Sequence, residues 1–101
     1  MAEKRIKDVV MYMKKCLEKN GIRVSKIIVF GSHARGTAAR ESDIDMIIVS
    51  GDFRGKGLLK RAEMIGDAEY KTVCKFDVAI DVILESPEEF NPGFGVVVYA
   101  A

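Results

Sequence analysis

The sequence predicts an α+β chain, and three observations carry that reading. Residues 4–19 and 58–72 repeat apolar side chains at three- and four-residue intervals, the spacing of amphipathic helices. Shorter runs rich in Val, Ile and Phe, at 27–30, 44–49, 76–84 and 94–99, read as strands. The third observation is size: 101 residues, 49% hydrophobic and 31% charged, suit one domain, 1–101, around a single core.

Taken in order, Ile6, Val9, Val10, Met13, Cys16 and Leu17 form the buried stripe of the first helix, with Lys4, Lys7, Lys14, Lys15 and Lys19 on its solvated face. Asn20-Gly21 ends it, because glycine accepts the left-handed conformation that closes many helices. The run Ile27-Ile28-Val29-Phe30 stops at Gly31, as a buried strand stops at a turn. Residues 44–49 are apolar at nearly every position except Asp45, which fits a strand covered on both faces. Residues 50–57 carry three glycines and several charges and are expected to form a mobile loop near the functional edge, with Arg54 and Lys56 in reach of it. Leu58, Leu59, Ala62, Ile65, Ala68 and Glu69 mark a second, sheet-covering helix in which Gly66 is the weak point. From Phe76 to Leu84 a strand would place Asp77, Ala79, Asp81 and Ile83 on one face. Ser86-Pro87-Glu88-Glu89-Phe90 has the grammar of a short helix, Asn91-Pro92-Gly93 breaks it, and Phe94 to Tyr99 adds an edge strand.

Chemistry gathers between the first two strands, in residues 30–45. Asp43 and Asp45 are two positions apart, so on a strand they project to the same side with Cα atoms roughly 7 Å apart. Two carboxylates beside an apolar strand repel and lose hydration, which a hard divalent cation relieves. Mg2+ prefers one or two carboxylates plus water and substrate phosphates to an all-protein cage. Gly31 allows close backbone approach to a phosphate, a helical turn starting at Ser32 would point free N–H groups at it, and Arg35 and Arg40 are permanently charged forks for phosphate oxygens.

Composition narrows the partners. Lys+Arg 16 against Asp+Glu 15 leave a net charge of +1, too little for a field that concentrates nucleic acid or an anionic membrane. No apolar stretch approaches ~20 residues and the start lacks a signal-peptide core, so no membrane partner and a cytoplasmic location are expected. Cys16 and Cys74 fit no metal-ligand spacing and read as core hydrophobes. His33, the only histidine, has no second histidine or cysteine pair with which to build a zinc site and reads as a loop residue near a bound ligand.

Gly31-Ser32, ten intervening residues and then Asp43-x-Asp45 resemble the signature of the DNA polymerase β-like nucleotidyltransferase superfamily. The fuller Gly-Ser-His-Ala-Arg-Gly and Ser-Asp-Ile-Asp look like its minimal nucleotidyltransferase (MNT) branch. The resemblance implies a small mixed β-sheet of about four strands with two main helices packed on it. It further implies transfer of a nucleoside monophosphate, AMP from ATP, by two Mg2+ ions. Asp43 and Asp45 would then be catalytic metal ligands, with Gly31, Ser32, Arg35 and Arg40 binding nucleotide. The family needs a third carboxylate on the neighbouring strand; Asp81 takes that role by its place before Ser-Pro-Glu-Glu-Phe, with Asp77 as the reserve. Members of this branch act as antitoxins paired with HEPN-type toxins, which they modify on a side-chain hydroxyl. A homodimer or such a partner would supply acceptor recognition. The alternatives are a partner-binding module with a vestigial site and a small-molecule nucleotidyltransferase.

Overall fold

The computed structural model describes residues 2–31, 33, 43–93 and 95–100. Helix α1 (Ala2–Lys19) leads into strand β1 (Lys26–Phe30); strand β2 (Ile44–Val49), a single 3-10 turn (Gly51–Phe53), helix α2 (Leu58–Phe76), strand β3 (Ile80–Glu85) and strand β4 (Val96–Ala100) follow. The sheet order is β3-β2-β1-β4. β2 and β3 run parallel, whereas β1 is antiparallel to both of its neighbours. This is an α+β fold, with two helices packed on a four-stranded mixed sheet.

The predicted stripe of α1 is the one that buries: Val9, Val10, Met13, Cys16 and Leu17 enter the core and Ile6 packs at its rim. Gly21 at φ +81 closes the helix, with Ile22 N–H bonding Leu17 O at 3.0 Å and Gly21 N–H bonding Glu18 O at 3.0 Å, the paired bonds of a left-handed C-terminal cap. Side chains alternate across the strands, so Ile27, Val29, Met46 and Ile48 face the helices. Ile28, Ile47 and Val49 face the other way and are nonetheless buried, with Phe30 and Phe90 packed against them. Strand β2 is thus covered on both faces, as its continuous apolar run predicts. The chain leaves β3 at one end of the sheet and enters β4 at the other, and on that crossing Phe90 packs against the face opposite α1 and α2.

Several expectations are corrected. Helix α2 runs through Gly66 and on to Phe76 instead of ending near 72, because the extra turn brings Val73 and Phe76 into the core, with the Phe76 ring edge-on to Tyr12 at 5.7 Å. The strand begins at Ile80, not Phe76, and Asp77 is the left-handed C-cap of α2 at φ 52, a conformation Asp tolerates better than most residues. The buried face of α2 is Arg61, Ile65, Ala68 and Thr72, whereas Leu58 and Leu59 are 79% and 83% exposed. Arg61 can occupy a core position because its guanidinium is satisfied: it donates to Lys56 O at 2.8 Å and Leu84 O at 2.9 Å, and grips the Glu89 carboxylate with both terminal nitrogens.

Residues 50–57 form an anchored turn. Ser50 Oγ accepts the Asp52 N–H at 3.0 Å, Phe53 is fully buried, and Asp52 pairs with Arg23 at 3.1 Å. This turn follows the C-terminal end of β2, so Arg54 and Lys56 lie at the opposite end of that strand from Asp45; Arg54 pairs with Glu88 at 2.8 Å. Residues 86–90 make one turn rather than a helix, with Glu89 accepting the Ser86 N–H at 2.8 Å. Cys16 is buried, but Cys74 is exposed on α2.

Candidate active site

The two carboxylates that meet come from adjacent parallel strands. Register pairs Asp45 of β2 with Asp81 of β3, and Phe30 at the end of β1 with Asp45. Alternation puts Asp45 on the same face as Ile47 and Val49, away from the helices. β2 is central in the sheet, which half-buries Asp45, while β3 is an edge, which leaves Asp81 exposed. Asp43 lies one residue before β2 and is exposed.

Gly31 follows β1 directly with φ +73. A Cβ placed there would collide with Oδ2 of Asp45, so glycine serves twice: it takes the left-handed backbone and leaves room for the carboxylate. The charge at Asp45 is uncomfortable as it stands. Burial raises its pKa, the neighbouring charges of Asp81 and Asp43 raise it further, and a hydrogen bond shared with the Asp81 carboxyl adds to this; His33 opposes them weakly. An oxygen-only pair that disfavours its own ionisation is the donor set a hard divalent cation fits.

The predicted residues thus separate into three groups. Asp45 and Asp81 are brought together in register, with Gly31 against Asp45. Asp43 is near enough for its charge to act on Asp45, yet among the described residues no three acid, histidine or cysteine side chains converge as an ion-holding group. Ser32, Arg35 and Arg40 lie outside the described residues; His33, the next described residue after Gly31, is helical. Asp77, the reserve, is held in the helix cap rather than on the face that carries Asp81.

One acid that reads in sequence only as part of a helical stripe feels the charge of the site. Glu69 of α2 is half-buried, and its pKa is raised by that burial and by the charge of Asp81.

The nucleotidyltransferase domain model matches residues 10–96. A Methanocaldococcus jannaschii protein named as a candidate protein adenylyltransferase is 41% identical over 90 residues, covering 88% of this chain and 78% of that protein. A second so named in the same organism is 29% identical over 92 residues, and this chain spans 62% of its length and matches over 90% of its own. Among solved structures, a candidate nucleotidyltransferase from Sulfolobus solfataricus has a TM-score of 0.66 at 20% identity, covering 87% of this chain and 73% of that one. A toxin–antitoxin structure with AMP-PNP has a TM-score of 0.60 at 20% identity, covering 94% and 73%. BolA1 from Arabidopsis thaliana also shares the fold, with a TM-score of 0.58 at 17% identity over 86% of this chain and 96% of its own. Fold likeness alone therefore does not select a chemistry; the sequence matches do.

Proposed function

This chain belongs to the nucleotidyltransferase domain family, and from that premise we propose that it transfers AMP from ATP, with Mg2+, to a hydroxyl of a protein partner, as the antitoxin of a toxin–antitoxin pair. The observation that carries the reading is the in-register pairing of Asp45 with Asp81 beside the left-handed Gly31. The acceptor hydroxyl oxygen forms the new bond to the α-phosphorus, the bond from that phosphorus to the bridging oxygen breaks, and pyrophosphate leaves. Asp45 and Asp81, joined by Asp43, would hold the cation, which would supply positive charge against that of the phosphates and of the developing oxyanion. Asp81, the exposed member of the pair, takes the acceptor's proton in this reading. Gly31 keeps the approach to Asp45 clear, and Ser32, Arg35 and Arg40 serve the triphosphate.

A protein acceptor is supported by the names of the relatives, and a toxin partner and an adenine nucleotide by the toxin–antitoxin structure with an ATP analogue; a HEPN-type toxin is the partner the sequence resemblance implies. Among the described residues no helix is long and apolar enough to cross a membrane. The second reading, a partner-binding module with a vestigial site, draws on the lack of a convergent three-ligand group among the described residues.

The deciding experiment co-expresses the chain with its neighbouring reading frame and incubates the pair with labelled ATP and Mg2+. Intact mass then follows both chains in the wild type and in Asp43→Ala/Asp45→Ala and Asp81→Asn variants. A gain of one or more AMP masses on the partner, lost in both variants, supports the transferase. A stable complex with no gain, formed equally by the variants, supports the binding module.

A further inference from the structure

We infer that the acceptor joins the sheet: an extended, basic segment of the partner protein pairs with the free edge of β3 and so sets its hydroxyl side chain beside Asp81. The hydrogen bonds of the sheet show which backbone groups that edge offers. Ile44 N–H donates to Ala79 O at 2.9 Å and Ser50 N–H to Glu85 O at 3.0 Å, so in this parallel ladder the odd-numbered residues of β3 turn their N–H and C=O toward β2. The even-numbered ones, Ile80, Val82 and Leu84, turn theirs outward. Leu84 bears this out, because its carbonyl accepts from Arg61 of α2 at 2.9 Å. Arg61 thus closes the edge at Leu84, and among the described residues no strand continues the sheet beyond Ile80 and Val82.

Side chains select the occupant. Ile80, Val82 and Leu84 pack toward the helices, so Asp81, Ile83 and Glu85 line up on the other face, the one that carries Asp45. Ile83 is 43% exposed between the two acids. On the helix side Glu69 is near enough for the charge of Asp81 to raise its pKa, so carboxylates flank the edge from both faces. A second copy of β3, antiparallel and centred on Ile83, would set Asp81 opposite Glu85, acid against acid. The same charges that repel a copy attract a basic strand, and backbone pairing fixes where its side chains fall. Facing residues of paired strands share a face, about 4.8 Å apart. The residue opposite Asp81 therefore points to the Asp45 face, the one two positions on meets Ile83, and the one four positions on reaches Glu85. The acceptor is a segment with a hydroxyl residue, an apolar residue and a lysine or arginine at alternate positions, in either chain direction. The part played by its hydroxyl rests on the transferase reading; the docking rests on the edge.

Two pools of synthetic peptides test it, each with Ser, Thr or Tyr, then Val two positions on, and then either Lys or Glu four positions on, made in both directions. Amide hydrogen exchange of residues 80–84, with Mg2+ and excess peptide, reads docking; intact peptide mass after incubation with ATP reads transfer. The Lys pool is expected to slow exchange at Val82 and Leu84 about tenfold and to gain AMP about tenfold faster than the Glu pool. Val82→Pro removes an outward N–H that the sheet does not use, a place where an edge strand tolerates proline. It should keep its circular dichroism spectrum and its ATP binding and lose both signals. Should it fail to fold, Glu85→Lys is expected to reverse the preference between the pools. Transfer without protection of residues 80–84, transfer equal for the two pools, or transfer undiminished in folded Val82→Pro overturns the docking and leaves the transferase standing. Protection by the Lys pool with no mass gain on any peptide removes the transferase reading and leaves the docking. Neither protection nor transfer with any peptide overturns the inference.

Discussion

Asp45→Asn is expected to stabilise the metal-free protein while abolishing its response to divalent cations. Register partners on adjacent strands lie about 4.8 Å apart at Cα. Two full charges ~5 Å apart in an effective dielectric of ~20 repel by about 3 kcal/mol. Asp81 is exposed, so water screens this to about 1 kcal/mol. The isosteric amide removes the repulsion and still offers a donor to the Asp81 carboxylate. Because the folded protein raises the Asp45 pKa, its contribution to stability is present below the ordinary carboxylate value and lost as pH rises through the raised one. The gain from the substitution should thus be full near about pH 8 and disappear near about pH 3, where both states are protonated. Urea denaturation of both proteins, with chelator and with Mg2+ at each pH, reads this directly. Equal destabilisation by the substitution at both pH values would refute the repulsion argument. An equal rise in midpoint with Mg2+ in both proteins would refute the assignment of Asp45 as a cation ligand.

Gly31→Ala should cost ~1–2 kcal/mol for the left-handed backbone alone and, by pushing Asp45 aside, lower transfer by about 10²-fold; a urea melt and a single-turnover rate measure the two parts. Phe53→Ala should cost ~3–5 kcal/mol by emptying a fully buried site, yet leave nucleotide binding by the folded protein intact, because its turn is at the far end of β2; denaturation and nucleotide titration separate these. The Arg61 guanidinium beside Glu89 lowers that carboxyl to about 2. Its contribution is therefore present above about pH 4.5 and is lost as pH falls toward about 2, and Glu89→Gln should flatten the stability–pH curve within that window.

The helical stripe of α1 and the strands β1 and β2 are legible because burial there follows from local spacing alone: each apolar side chain of the pattern finds the core. The second helix is legible only in part: Ile65 and Ala68 of its stripe are buried, whereas Leu58 and Leu59 are exposed. Its buried face includes Arg61 and Thr72, polar residues that no apolar pattern marks; Arg61 fits because Leu84 O and Glu89 meet it from across the fold and Lys56 O from just before the helix, and Thr72 because its hydroxyl donates to Ala68 O one turn back. Residues 50–57 read as a loose loop in sequence for the same reason, since the weight of the segment rests on one phenylalanine and two ion pairs with distant partners.

The carboxylates show the same division. Asp43-x-Asp45 two residues apart and Gly31 at the strand end are available from sequence, because alternation along one strand and the glycine requirement are local properties of a backbone; Asp81 enters only through the family resemblance. Whether Asp77 or Asp81 would stand beside Asp45 is not available there, since both fall on one face of a hypothetical strand. That was decided when packing of Val73 and Phe76 carried α2 on to residue 76, turned Asp77 into its cap and began β3 at Ile80, so that parallel register set Asp81 opposite Asp45. Register between strands separated by a whole helix depends on where that helix ends, and only burial against the rest of the fold ends it.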